Sequence, residues 1–443
     1  MAGSQTNWDV LLDLSGPGPK HEQLARALRR AIRGLEDGVA VPPSRQLAAD
    51  LGCSRWVVTQ AYAQLVAEGY LDGRTGSATR VRRVASEPPP KAPARKELPP
   101  RYDLAPGLPD LRHFPRQRWA DAVRGVLTTV PHADLGLPGQ AGHPRLRTTL
   151  AGYLRRVRGA ETDDVVICGG VTDGVTRVCH ALRERGVTRL AVEDPGWTRL
   201  RRAAAATGMA IDPVPVDEEG IDAGRIPRGT RAVLVTPAHQ FPTGSVLSPR
   251  RRAELLDWAR DVDGLILEDD YDAEFRYDRR PVGTVQGMDP TRVALFGSVS
   301  KTLSPALGLG WVALPPQWTL PGTLPGHAPP VVDQLALAEF VDNGGYDRHL
   351  RAARLRYRAR RDRLVEALGP ARLSGAAAGL HLVLHLDRNA ADVTESARAK
   401  GVKVADLDGY RVTPGDPALV LGYGNLADNA VSDAARLLRE AAG

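Results

Sequence analysis

Apolar and polar positions follow two different rhythms along this chain. Over residues 19–37, Leu24, Leu28, Ile32 and Leu35 recur at helical spacing, and Val41-Pro42-Pro43 then breaks the pattern. Ser44 is placed to cap a second short helix, Arg45 to Leu51, and Gly52-Cys53 make a tight turn. Ser54 is placed to cap a third helix, Arg55 to Glu68, with Val58, Ala61, Leu65 and Val66 as its buried stripe. Arg55, Trp56, Thr59 and Gln60 then fall on the opposite side. Two short strands, Tyr70–Leu71 and Ala78–Arg82, follow among Gly69, Gly73 and Gly76. Helix, glycine turn, helix and strand pair together spell an α+β winged helix-turn-helix.

From about residue 145 the rhythm changes. Short apolar runs at 164–168, 188–193, 231–236, 263–268, 292–297 and 309–314 are predicted strands, with helical stretches at 172–186, 198–207 and 249–261. This βαβ alternation predicts an α/β domain with a largely parallel sheet covered by helices on both faces. Between the two rhythms, residues 84–101 hold six prolines and no hydrophobic period, which suits an extended, semi-rigid tether. The expected organisation is therefore a head over 1–83, a linker over 84–101 and a large domain over 102–443.

Composition, at 42% hydrophobic and 25% charged, is that of a globular protein. No apolar run of about 18 residues occurs, so no membrane span is expected. The start of the chain lacks a basic segment followed by an apolar one, so no secretory signal is expected. Cys53, Cys168 and Cys179 make no CxxC pair, which fits a reducing cytoplasm and gives no zinc pattern. The net charge of +7 is uneven: residues 1–101 hold 15 Lys/Arg against 10 Asp/Glu, and the other 342 hold 44 against 42. The positive excess at the N-terminal end favours a polyanion there. Early residues of the third helix can reach base edges, where Arg and Gln have donors and acceptors to read them; Arg45, Arg74, Thr79 and Arg80 are better placed for phosphates.

Only six lysines stand against 53 arginines, and one of them, Lys301, follows a buried strand in Phe296-Gly297-Ser298-Val299-Ser300-Lys301. A desolvated lysine can lose its proton and attack a carbonyl, as a guanidinium cannot. The other strands end on Gly169-Gly170-Val171-Thr172, Asp194-Pro195-Gly196-Trp197, Pro237-Ala238-His239-Gln240 and Asp269-Asp270-Tyr271-Asp272. Singly these read as a helix cap, a core aromatic, a turn and an acidic loop. Open parallel sheets gather ligands at those strand ends, and there the residue types fit one ligand. A lysine captures an aldehyde, a carboxylate faces a ring nitrogen, a phenol meets a ring oxygen, an aromatic stacks, and amides with hydroxyls hold a phosphate. That ligand is pyridoxal phosphate.

The head resembles the GntR winged-helix family through Pro43-Ser44-Arg45-Gln46-Leu47-Ala48, Gly52-Cys53-Ser54-Arg55, Ala61–Leu71 and Arg74-Thr75-Gly76-Ser77. The resemblance implies contacts with double-stranded operator DNA from Arg45, Ser54, Arg55, Thr59 and the wing tip at Gly76. Trp56, Gln60, Arg74 and Thr79 complete the expected DNA-facing set. Ala78 stands where that family's wing usually has a second glycine.

The large domain resembles fold-type-I aminotransferases, with a small C-terminal subdomain, and the domain order resembles MocR/GabR-type regulators. Matched strings include Glu193-Asp194-Pro195-Gly196, His239–Gly244, Glu268–Tyr277 and Ser298–Leu303. This implies Lys301 as the Schiff-base lysine, Asp269 (or Asp270) facing the pyridine nitrogen, Tyr271 at the ring hydroxyl and Trp197 in the stacking position. Gly170, Val171, Thr172, Ser298 and Ser300 would hold the phosphate, and Gln240 joins the cofactor-binding set. No metal is implied. Such pockets form at a subunit interface, which implies a homodimer.

Three family anchors are replaced. Gly308 stands seven residues after the lysine, where an arginine usually binds the phosphate. Leu137 replaces a tyrosine reaching the partner's phosphate, and Val420 replaces an arginine that clamps a substrate carboxylate. Each charge-assisted contact is worth roughly 1.5–3 kcal/mol, so each loss weakens binding about ten- to a hundredfold. Three readings follow. The first is a transcriptional regulator that binds pyridoxal phosphate and senses it or an amino compound. The second is an active aminotransferase carrying a DNA-binding head. The third is a regulator whose degenerate pocket binds no cofactor.

Overall fold

The computed structural model describes residues 12, 14, 16–73, 78–82, 99–136, 139–277, 282–320 and 329–443. The chain divides into two compact units, 1–98 and 99–443. The linker expected over 84–101 lies mostly outside the described residues, as do Arg74 and Gly76 of the wing tip and Leu137.

In the first unit, α1 (Lys20–Ile32), α2 (Ser44–Asp50) and α3 (Arg55–Ala67) enclose a core of Leu24, Leu28, Leu47, Val58, Ala61 and Leu65. The predicted first helix stops short of Leu35, which packs on this core from the following turn. Ser44 is the first residue of α2 and not its cap; Pro43 precedes it, and the Ser44 hydroxyl instead accepts from Arg55 Nε at 3.4 Å. Ser54 does cap α3, its Oγ accepting from the Val57 amide at 3.4 Å. Val66 is 38% exposed, whereas Tyr62 is buried and donates to the Pro42 carbonyl at 2.8 Å. The buried stripe of α3 therefore runs through Val57, Val58, Ala61, Tyr62 and Leu65. Strands β1 (Leu71–Asp72) and β2 (Arg80–Val81) pair antiparallel, Leu71 opposite Val81.

In the second unit an eight-stranded sheet carries the site. Its strands are β3 (Val166–Cys168), β4 (Arg189–Asp194), β5 (Ala210–Asp217), β6 (Gly220–Ile221), β7 (Ala232–Val235), β8 (Leu265–Asp269), β9 (Val293–Ser298) and β10 (Gly310–Ala313). Their order across the sheet is β3-β10-β9-β8-β7-β4-β5-β6. Strands β9, β8, β7, β4 and β5 run parallel; β10 runs opposite to both of its neighbours, and β6 turns back on β5. Helices α4 (Val171–Glu184), α5 (Thr198–Ala206) and α6 (Pro249–Asp261) connect them. Alternate side chains enter different cores. Leu190, Val192, Leu234, Leu267 and Phe296 pack with Val175 and Val178 of α4. Ala191, Val233, Ile266 and Val293 pack with Leu255 and Leu256 of α6. Burial on both faces explains why these strands read as continuous apolar runs.

The C-terminal part adds a four-stranded antiparallel sheet. Its order is β11 (Leu373–Ser374), β12 (His381–His385), β14 (Ala418–Gly422) and β13 (Ala405–Asp406). Its inner residues join a core with the long helix α7 (Gly345–Leu368). No described helix is long and apolar enough to cross a membrane.

Candidate cofactor cavity and DNA-reading face

The carboxyl ends of β3, β4, β7, β8 and β9 open on one cavity of about 350 Å³. From β3 come Gly169, Gly170, Val171 and Thr172; from β4, Trp197 and Arg199; from β7, Thr236; from β8, Asp269, Tyr271 and Asp272; from β9, Ser298, Ser300 and Lys301. Because β10 runs backwards, its first residue, Gly310, lies at the same edge. A Cβ there would come within 2.6 Å of Gly170 Cα, so only glycine allows the two loops this approach.

Lys301 is half-buried, and its Nζ donates to the Gly107 carbonyl at 2.6 Å and lies 5.4 Å from the Trp197 ring centre. Burial lowers its pKa from 10.5, which favours the neutral amine, while Asp269 pulls the other way. Trp197 is held edge-on by Phe241, with ring centres 4.6 Å apart, and stacks against Tyr410 at 5.9 Å. Asp269 is buried, and its Oδ1 has no hydrogen-bond partner. Burial first, and then repulsion from Asp270, push its carboxyl up to about 8. Asp270 does not line the cavity: Arg158 grips it through two bonds of 2.7 and 3.0 Å, both side chains being buried. Of the two carboxyl groups, Asp269 lines the cavity and Asp270 does not.

Tyr271 lines the cavity, its hydroxyl 3.1 Å from His239 Nδ1, which in turn meets Asp272 at 3.0 Å. The first-turn amides of α4 have no carbonyl partner within the helix, and Gly170 holds the left-handed entry at φ 120°. Ser298 Oγ accepts from the Ser300 amide at 3.3 Å.

Gln240 is the exception among the cofactor-binding residues expected from the sequence. It is buried but does not line the cavity. Its amide nitrogen donates to the carbonyls of Pro195 (2.9 Å) and Phe241 (2.7 Å), and its oxygen accepts from the Thr243 amide (3.0 Å) and hydroxyl (2.7 Å). It braces the loops after β4 and β7 and touches no ligand space. Of the departures, Gly308 closes a short 3₁₀ turn in the left-handed region at φ 57°, with nothing within 4 Å of a Cβ there. Val420 packs with Phe241, Val383 and Leu407.

Sequence reading missed Gly107, Arg199, Asp272 and His381, all of which line the cavity. His381 arrives from a strand remote in sequence. Its Nε2 lies 3.1 Å from the Pro242 carbonyl, and burial keeps its pKa well below 6.5. Asp272 was within reach of inspection, since it belongs to the acidic run after β8. Arg199 is one among 53 arginines and carried no local signal.

The residues present fit pyridoxal phosphate. An orphaned buried carboxylate oxygen awaits a donor such as a ring N–H, an amine of lowered pKa lies in the same cavity, and an indole with a fixed tilt stands beside it.

In the first unit the exposed side of α3 carries Arg55, Trp56, Thr59 and Gln60, with Ser54 and Arg45 exposed nearby. Trp56 is 60% exposed and meets His21 edge-on at 5.5 Å. Thr59 Oγ1 donates to the Arg55 carbonyl at 2.9 Å. Thr79 is half-buried, and its carbonyl accepts from the Val41 amide. Arg80, expected on phosphates, donates to the Gly38 carbonyl at 2.7 Å.

Comparison with known families agrees with both halves. Residues 20–81 match the bacterial regulatory proteins of the gntR family, and residues 107–422 match aminotransferase class I and II. The pyridoxine biosynthesis transcriptional regulator PdxR of Corynebacterium glutamicum is 33% identical over 420 residues, covering 91% of each chain. The probable rhizopine catabolism regulatory protein MocR of Rhizobium meliloti is 31% identical, covering 98% of this chain and 95% of its own. Among solved structures, an archaeal alanine:glyoxylate aminotransferase superposes with a TM-score of 0.71 at 22% identity, covering 77% of this chain and 90% of that one. That likeness establishes the fold of the large unit. This chain belongs to the MocR/PdxR-type helix-turn-helix transcriptional regulators, in which a GntR-type head is joined to an aminotransferase-like domain.

Proposed function

We propose that this regulator binds operator DNA through α3 and its wing and takes up pyridoxal phosphate at Lys301. The vitamin is then either the signal itself or the seat for an amino compound. When bound, the cofactor supplies an aldehyde for an amine and an electron-withdrawing ring. The residues around it do the rest: Lys301 offers an amine whose proton burial loosens, Asp269 a carboxyl group for the ring nitrogen, Tyr271 a hydroxyl and Trp197 a face. Gly170, Val171, Thr172, Ser298 and Ser300 offer amides and hydroxyls to the phosphate. The observation that carries this reading is the unpartnered, buried Oδ1 of Asp269 in the same cavity as Lys301. A buried acceptor left unpaired costs about 1–3 kcal/mol, which a bound ring N–H would recover.

The working unit in this reading is a homodimer that offers two heads to two half-sites of one operator. Ligand acts by favouring one arrangement of the heads over another. Turnover as an aminotransferase is disfavoured, because Val420 sits in an apolar cluster where the family's carboxylate clamp would stand.

The test is spectroscopic. Full-length protein titrated with pyridoxal phosphate should develop a visible or near-ultraviolet band distinct from the free cofactor, and Lys301→Ala should lack it. Wild-type spectra that match the free cofactor at every ratio would sink the reading.

A further inference from the structure

Among the described residues, one group of three side chains has the types and the spacing to hold a metal ion: His239, Asp272 and His381. They come from the loop after β7, the loop after β8 and the first position of β12, and none is more than 3% exposed. A ligand atom from each lies within 4.8 Å of the other two. Gly379 permits this approach, since a Cβ there would overlap both the His239 ring and the Asp272 carboxylate.

Bracing explains part of the group. His239 Nδ1 faces the Asp272 carboxylate at 3.0 Å and the Tyr271 hydroxyl at 3.1 Å, and His381 Nε2 meets the Pro242 carbonyl at 3.1 Å. A carboxylate and a carbonyl only accept, so those two nitrogens carry the protons. The other nitrogen of each ring then keeps a bare lone pair. That of His239, Nε2, is buried with no hydrogen-bond partner, and the second imidazole stands with its ring centre 4.8 Å from the first. A neutral imidazole whose N–H is tied to a carboxylate or a backbone carbonyl is the form in which histidine binds transition metals.

We infer that His239, Asp272 and His381 form a binding site for one divalent transition-metal ion of the zinc class. Two imidazoles and one carboxylate suit zinc or cobalt better than magnesium or calcium, which take oxygen ligands. Neighbouring ligands of a tetrahedral zinc stand roughly 3.3 Å apart, so uptake draws the three side chains together by about 1 Å. Asp272 and His381 also line the cavity, which gives the ion its entry and leaves its remaining coordination position open to water or to a ligand donor. The ion thereby ties β12 of the small sheet to two loops of the large one. The site needs neither Lys301 nor a cofactor, so it stands apart from the function proposed above.

The test uses full-length protein freed of metal by a chelator and titrated with Co2+, whose visible bands report its ligands, and then with Zn2+ as competitor. Wild type and Lys301→Ala should each take up one Co2+ per chain, and Zn2+ should displace it. Asp272→Asn and His381→Gln should each weaken uptake about tenfold or more, while His132→Ala, on the surface, matches wild type. An anomalous-difference map of wild-type crystals soaked in Co2+ locates the ion without any substitution, so the test does not depend on the variants folding. A peak between the three side chains supports the inference. Absence of a one-to-one site in wild type, a peak elsewhere, or uptake by both folded variants within twofold of wild type would overturn it. Spectra that sink the aldehyde reading while cobalt uptake persists leave this inference standing, and the reverse result overturns this one alone.

Discussion

On α3 the polar residues stand in water, and around Lys301 they stand out of it. Arg55, Trp56, Thr59 and Gln60 are exposed, and their contacts are few and local: Arg55 donates to Ser44 at 3.4 Å, Thr59 to the Arg55 carbonyl at 2.9 Å, and Trp56 meets His21 edge-on. Asp269, Asp272, His239 and His381 are buried and touch or repel one another. The exposed face of α3 can therefore change one side chain at a time with little effect on folding. The cavity cannot, since each buried group there sets the charge state of the next. The difference also locates strain. The exposed α3 residues leave no buried polar atom unpartnered, whereas the cavity keeps one carboxyl oxygen without a partner.

The sharpest way to probe this contrast is to break a buried pair that touches no ligand. Arg158→Ala removes the buried guanidinium that pairs with Asp270, and should cost about 3–5 kcal/mol in urea unfolding of the large unit. A loss below 1 kcal/mol would show that the cavity's surroundings are as tolerant as the head. Next comes the orphan itself. Asp269→Asn should weaken pyridoxal phosphate by about 2–3 kcal/mol, through loss of the charge-assisted bond, while raising the stability of the cofactor-free protein above pH 8.

The sign follows from the direction of the shift. With the folded carboxyl near 8 and the unfolded one near 3.8, the folded chain holds its proton longer. Its stabilising contribution is full below the unfolded value and is lost as pH rises to about 8. Glu193, Glu268 and Glu274, each pushed up by burial to about 7, add to the same trend. Wild-type melting temperature should thus fall between pH 5 and 8, and Asp269→Asn should fall less steeply. Parallel slopes would remove the case for a strained carboxylate. The smallest effect on folding belongs to the head. Arg55→Ala should weaken specific operator binding by about 1–3 kcal/mol yet shift unfolding by no more than about 0.5 kcal/mol. An equal loss on all DNA sequences would make Arg55 a phosphate contact instead.

Much of this was legible from residues alone, for reasons the structure makes plain. The central strands are buried on both faces, so their apolar runs announce themselves, and the chemistry follows directly after each run. Strand β5 was not found. Its sequence AIDPVPVD carries Pro213 and Pro215, which read as breakers, but both prolines point outward from a strand paired along most of its length on one side only. On α3, Val66 and Tyr62 both satisfy helical spacing, and the neighbouring Pro42 carbonyl, absent from any periodicity, decides that the phenol goes inside. Gln240 was misplaced because a string match gives position along the chain and not direction. His381 and Gly107 reach the cavity from segments far from the strand ends, where no local pattern could reveal them.

Asp269 and Asp270 carry one further implication. Neighbouring carboxylates that head in different directions, one gripped by a buried guanidinium and one left open, act as a keyed joint. If β8 slipped by a single position along β9, Arg158 would lose its anion, and the open carboxylate would turn into an apolar wall. The same ion pair that holds Asp270 away from the cavity thereby fixes which rung of the sheet opens on it.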